Sequence, residues 1–123
     1  MKKKKGLKFD SGKPPMELIS YYAMEELAKT LEFGRLKYSA WNWSDGILYS
    51  RVISAAERHI GKWKSREDLD DETGLSHLAH AMCNIMFLLD YEARGLKQFD
   101  DRRPIGSVKR KKNEKYKSKS KKN

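Results

Sequence analysis

Between Leu75 and Leu89 the residues Leu75, Leu78, Ala79, Met82, Ile85, Met86 and Leu89 recur at intervals that only an α-helix gathers onto one side. A wide apolar stripe of this kind must be covered by something else, and Gly95 supplies a C-terminal stop for the helix that carries it. Two further stretches repeat the pattern. Leu18, Ile19, Tyr22, Ala23, Leu27 and Leu31 predict a first helix that starts at about Met16, after Pro14-Pro15, and extends past Gly34 to Tyr38. Val52, Ile53, Ala56, Ile60 and Trp63 predict a second, starting at Ile47 or Leu48 and fading in the charged stretch from Lys64 to Asp71. Ser39 to Gly46 reads as a loop holding two indoles, Trp41 and Trp43. No segment shows the two-residue alternation of a half-buried strand. The expected fold is all-α, a small helical bundle of three main helices with flexible basic termini.

At 123 residues the chain holds one domain and one modest core. Its net charge of +10 invites comparison with nucleic-acid-binding folds. The charge sits at the ends, however. Lys2 to Lys5 and the nine Lys or Arg residues from Lys109 onward, opposed there only by Glu114, exceed the total, so the intervening segment is slightly acidic. The boundaries expected are therefore a disordered basic N-terminus over 1–6, a helical domain over 7–100 and a disordered Lys-rich tail over 101–123. Such tails support only nonspecific, salt-sensitive contact with nucleic acid. Cys83 stands alone, which excludes an internal disulfide or a Cys-rich zinc site and fits a reducing cytoplasm. The lysines at the start are not followed by an apolar run, and no stretch approaches the length of a membrane span. A soluble, cytoplasmic protein is expected, with no membrane partner.

The chemistry-bearing residues cluster. His59, His77 and His80 fall on the second and third helices, and Glu67, Asp68, Asp70, Asp71 and Glu72 fall between them, so antiparallel packing would bring the two groups together. His77, His80 and Asn84 share one side of the third helix. Glu67-x-x-Asp70 places two carboxylates on one side if that stretch is helical, the arrangement that holds magnesium beside substrate phosphates. The same acids would equally serve the positive end of the third helix, and any one histidine would equally serve as a packed, hydrogen-bonded side chain. The loop Asp10-Ser11-Gly12-Lys13-Pro14 offers amides and an ammonium to a phosphate, or is a surface turn; it lacks the second glycine and Lys-Ser/Thr ending of a P-loop. Trp41, Asn42 and Trp43 would stack on and hydrogen-bond a base, or cap the core. Arg58 would bind phosphate or join a surface ion pair.

Taken together, Lys8-Phe9-Asp10-Ser11-Gly12-Lys13-Pro14, Phe33-Gly34-x-x-Lys37-Tyr38, Trp41-Asn42-Trp43, Arg58-His59 and the block from Glu67 through Gly74-Leu75-x-His77-Leu78-Ala79-His80-Ala81 to Asn84 resemble the dATP/dGTP diphosphohydrolase family. These proteins are common in bacteriophages and related to MazG-like pyrophosphohydrolases. The resemblance covers about residues 7–92. It implies a MazG-like all-α fold and metal-dependent cleavage of purine (deoxy)nucleoside triphosphates, dGTP or dATP, to monophosphate and pyrophosphate, in the host cytoplasm if the chain is phage-encoded. Glu67, Asp70 and Glu72 would then bind Mg2+ or Mn2+, with His77 as a further ligand or an orienter. His59, Glu67 and His80 would take catalytic roles, a carboxylate or His59 accepting the proton of a water. Lys13, Lys37 and Arg58 would hold the triphosphate, and Asn42 with Trp43 the base.

One departure stands out. MazG-like enzymes pair a Glu-x-x-Glu with a Glu-x-x-Asp, and this chain has no Glu-x-x-Glu. Glu25 and Glu26 on the first helix, or Glu57 and His59 on the second, are the available replacements. MazG-like folds commonly build the site across a dimer, so the resemblance also implies a homo-oligomer, a dimer or a tetramer. The competing reading is a small helical nucleic-acid-binding accessory protein acting through its Lys-rich tails. A His-Asp phosphohydrolase is disfavoured because no adjacent His-Asp pair occurs.

Overall fold

The computed structural model describes residues 4–104, with three α-helices: α1 (Tyr21–Lys37), α2 (Tyr49–Lys64) and α3 (His77–Arg94). Lys2, Lys3 and the Lys-rich stretch from Lys109 lie outside the described residues. Among those described, the only strand-like pairing is one antiparallel bridge between Leu69 and Ser76. The fold is an all-α small bundle, as the periodicity requires. None of its helices is long and apolar enough to cross a membrane.

Local chemistry sets the helix ends. Ser20 caps α1 by accepting from the Ala23 amide at 3.1 Å, so the helix starts at Tyr21. The start expected at Met16 is instead a separate 310 turn, Met16–Leu18, followed by extended Ile19. Prolines 14 and 15 suit that turn, but the Ser20 cap breaks it from the helix proper. Ser76 caps α3 through the Leu78 amide at 3.1 Å. Gly95 ends α3 in the left-handed conformation, where the Leu96 amide returns to the Tyr91 carbonyl at 3.0 Å. At the start of α2 no side chain of the cap residue helps. The Asp101 carboxylate does so from the far end of the chain, accepting from the Ser50 amide at 2.8 Å and from its hydroxyl.

Helices α2 and α3 run antiparallel. Tyr49, at the start of α2, stacks on Tyr91, near the end of α3, at 5.9 Å, while His59 and His77 meet at their opposite ends. Tyr49, Val52 and Tyr91 form the core, sealed by Trp43, Ile47, Ile53, Phe87, Leu88, Leu96 and Phe99. Trp43 lies flat on Phe87 at 4.9 Å, and the Tyr91 hydroxyl donates to the Trp43 carbonyl. Gly46 makes this closure possible: a Cβ there would lie 2.2 Å from the Phe99 ring, at a φ of 106° that other residues avoid.

Helix α1 packs chiefly on α3. Its one buried residue is Thr30, whose hydroxyl donates to the Glu26 carbonyl. The apolar stripe expected to face the core divides in the structure. Ala79 is buried, but Leu78, Ile85 and Leu89 are 45%, 52% and 64% exposed, while His77, Ala81, Cys83 and Tyr91 take the interior of α3.

Candidate functional site

The segment joining α2 to α3 is a tight, hydrogen-bonded loop. Asp70 donates its amide to Leu75 and accepts from the Gly74 amide, both at 2.8 Å, and His77 donates its amide to Asp68 at 2.9 Å. Glu67 to Glu72 is therefore not helical, and the shared helix face expected for Glu67 and Asp70 does not form. Instead Asp70 folds the turn around its own side chain. One carboxylate oxygen accepts from the Glu72 amide (3.0 Å), the Thr73 amide (2.9 Å) and the Thr73 hydroxyl (3.1 Å). Burial opposes ionisation of Asp70. The Thr73 and Glu72 hydrogen bonds, with His80 nearby, outweigh it and hold the carboxyl below its usual range.

This turn delivers its acids to the three histidines. His77 is fully buried, with Nε2 2.9 Å from Glu67 Oε2 and Nδ1 2.8 Å from His59 Nδ1. His77 thus bridges Glu67 and His59 through its two ring nitrogens, donating to the carboxylate from Nε2 and sharing one proton with His59 at Nδ1. His80 stacks on His59 with ring centroids 4.6 Å apart, and its Nε2 lies 2.7 Å from the Thr73 hydroxyl. Since that hydroxyl donates to Asp70, it accepts from His80. Burial, reinforced by the neighbouring His80 and His77, pushes His59 down to about 4. Burial also lowers His80, with Asp70 opposing the shift. Both rings are neutral at pH 7.

The donor chemistry fits a divalent cation. One atom each from His59, Asp70 and His77 lies within 4.8 Å of the others. Two imidazoles and a carboxylate suit a first-row divalent ion. Among the described residues, Glu67 and Glu72 do not join this group. Glu67 is engaged by His77 and stands 4.0 Å from Lys62; Glu72 faces Lys37 at 3.6 Å. Glu25, Glu26 and Glu57 line neither of the two clefts that adjoin the histidines and arginines, and Glu26 pairs with Lys29 at 2.9 Å.

His59, Asp70, Glu72 and His80 form the polar end of a cleft of about 640 Å³ between α1 and α3, whose other walls include Lys37, Trp41, Trp43 and Phe87. That volume suits a small organic ligand. A second cleft, lined by Arg51, Ser54 and Arg58 on one face of α2, adjoins it through Tyr38, Asn42, Ile47 and Asn84. Of the residues expected to hold substrate, Lys37, Asn42, Trp43 and Arg58 reach these clefts, whereas Lys13 sits in the turn before α1 and lines neither. Trp43 is also part of the core wall. Trp41 is the exposed indole, 70% accessible, and it is held at a φ of 67°, a costly conformation for a bulky side chain. Sequence reasoning passed over Thr73, which links Asp70 to His80, and Arg51, whose spacing from Arg58 by two helical turns was a usable signal. Cys83 lines the first cleft, but burial pushes its thiol up to about 12, which rules it out as a nucleophile at neutral pH.

Comparisons with known proteins bear on the family. A dATP/dGTP diphosphohydrolase of Salmonella phage PMBT28 is 43% identical over 83 residues, which is 68% of this chain and 28% of the relative. The chain thus spans well under a third of that protein's length. No solved structure matches it. The profile described as dATP/dGTP diphosphohydrolase, N-terminal, matches residues 3–102, and the chain belongs to that family.

Proposed function

We propose that the protein hydrolyses purine (deoxy)nucleoside triphosphates, dGTP or dATP, to the monophosphate and pyrophosphate with a divalent ion, Mg2+ or Mn2+. The reading is carried by one observation: a single cleft joins a His59–Asp70–His80 end to a Lys37 and indole end, with Arg51 and Arg58 alongside. A triphosphate needs cations along its length, and a base needs a flat apolar surface. The phage relative's description as a dATP/dGTP diphosphohydrolase supports the substrate class.

Lys37, Arg51 and Arg58 bind the phosphate oxygens, and Trp41 receives the base beside Asn42. Asp70, His59 and His77 would hold the ion, which would offset phosphate charge and acidify water. A water oxygen bonds to the α-phosphorus as the bond to the bridging oxygen of the β-phosphate breaks. The water proton passes to His80, a neutral ring at the cleft, and pyrophosphate leaves. The protein works as a homo-oligomer in the cytoplasm. The unpartnered Leu78, Ile85 and Leu89 on α3 support self-association.

The test is incubation of the full chain with each deoxynucleoside triphosphate and Mg2+ or Mn2+, with chromatography of the products. Purine monophosphate plus pyrophosphate is expected, and Asp70→Asn lowers the rate at least tenfold, following the effects seen when metal-site residues or their orienters are removed, of roughly 10–100-fold. An inert wild-type protein, or release of inorganic phosphate alone, overturns the reading.

A further inference from the structure

Two imidazoles whose Nδ1 atoms stand 2.8 Å apart can share one proton or, with the ion to one side of the line joining them, one small cation. Ligand atoms that are neighbours around a first-row divalent ion are about 3 Å apart when each bond is about 2.0–2.2 Å long. The His59 and His77 nitrogens are already near that separation, and one Asp70 oxygen lies in the same cluster, with the three ligand atoms within 4.8 Å of one another. His77 is fixed for the task. It is wholly buried, and Glu67 binds its Nε2 at 2.9 Å, which leaves Nδ1 facing His59. A carboxylate on the far nitrogen of a histidine orients the ring and raises its basicity, the usual support of a ligating imidazole. Asp70 is fixed as well: its three hydrogen bonds all fall on Oδ2, so Oδ1 remains available.

We propose that His59, His77 and Asp70 are the direct ligands of the protein's divalent ion, that Glu67 acts as the positioning residue for His77, and that the site prefers Mn2+ or another imidazole-binding first-row ion to Mg2+. Magnesium demands a shell of oxygens and gives up water reluctantly, whereas imidazole suits the later first-row ions. The proton that His59 shares with His77 moves to His59 Nε2 when the ion takes its place. This assignment deepens the proposed function by naming the ligands, and it reassigns Glu67 and Glu72 to other partners.

The experiment measures Mn2+ binding to the full chain without nucleotide, following loss of the free-ion paramagnetic signal, with Mg2+ as competitor. Wild-type protein is expected to bind Mn2+ saturably and to retain it in an equal concentration of Mg2+. His59→Ala and Asp70→Asn should lose the binding, Glu67→Gln should weaken it by roughly 10–100-fold, and Glu72→Gln should leave it unchanged. His77→Ala removes a buried ring and threatens the fold, so the half-exposed His59 carries the test, with the helical circular-dichroism signal as control. Unaltered binding in a folded His59→Ala protein, loss of binding in Glu72→Gln, or displacement by equal Mg2+ overturns the assignment. Mn2+ binding that follows the variants in a protein inert toward every triphosphate upholds the site and overturns only the proposed reaction. Purine triphosphate hydrolysis that survives His59→Ala does the reverse.

Discussion

Helices α2 and α3 form a finished interface, whereas α1 rests against α3 with almost nothing enclosed. Helix α2 buries Tyr49, Val52 and Ala56, and α3 buries His77, Ala79, Ala81, Cys83 and Tyr91; α1 buries Thr30 alone and leaves Tyr21, Tyr22, Met24 and Leu36 exposed. The cleft lies along the looser seam. Its reactive end belongs to the tight pair, since His59, His77, His80 and the Asp70 turn all hang on α2, α3 and the loop between them. The open wall, with Lys37 and Tyr38, belongs to α1. A rigid floor fixes ligand geometry, and a lightly held wall leaves space for a substrate to enter.

If the two halves differ as described, matched truncations must separate them. Tyr91 is completely buried, stacked on Tyr49 and bonded to Trp43. Tyr91→Ala should cost about 3–5 kcal/mol, as large-to-small changes of core aromatics do. Leu36→Ala, at a position 71% exposed on α1, should stay within about 0.5 kcal/mol. Urea unfolding followed by circular dichroism gives both values. Equal losses would mean that α1 is clamped as firmly as the α2–α3 pair.

Acid sharpens the same contrast, because the titrating groups with an imidazole shift lie on the tight side. His59 takes its proton at about 4 in the folded protein, against 6.5 ordinarily, and His80 is lowered too. A lowered histidine means that the unfolded chain binds protons first. Stability from this source is complete above about pH 6.5 and is lost progressively as the pH falls toward 4. Asp70, held below its ordinary 3.8, adds a further loss under that value. In chelator-containing buffer the urea midpoint should therefore fall between pH 7.5 and 4.5. A midpoint that is flat or rises over that interval contradicts the buried imidazole cluster.

The helices were legible in the sequence because their signals are local: Ser76 before α3, Gly95 after it, and apolar spacing throughout. The meeting of His59, His77 and His80 with Asp70 was legible too, since a short loop between antiparallel helices leaves those residues few other places. What was hidden depends on partners distant in sequence or on turn geometry. Asp101 caps α2 from 51 residues away. Glu67 and Asp70 looked like a helical pair, but the Asp70 side chain captures two amides and makes a turn. Trp43 and Trp41 are indistinguishable as letters, yet one lines the core and the other is exposed. The Leu78, Ile85 and Leu89 stripe had the right period for a core, but neither α1 nor α2 covers it.

That uncovered stripe yields the prediction with the smallest effect on the fold and a clear effect on assembly. Leu78, Ile85 and Leu89 lie at i, i+7 and i+11 of α3, one above another on a single face. In the lone chain, Leu89 is 64% exposed, so replacing it costs little packing. Ile85→Lys with Leu89→Lys should shift the unfolding free energy by no more than about 0.5 kcal/mol per site at low protein concentration. If a second copy covers the face, the same pair of charges must be stripped of water to be buried there, and association fails. Sedimentation velocity should then show a dimer or tetramer for wild-type protein and a monomer for the variant. Identical sedimentation of the two would place the oligomer contact elsewhere, and a monomeric wild-type protein would leave the α3 face without a second copy of this chain as its cover.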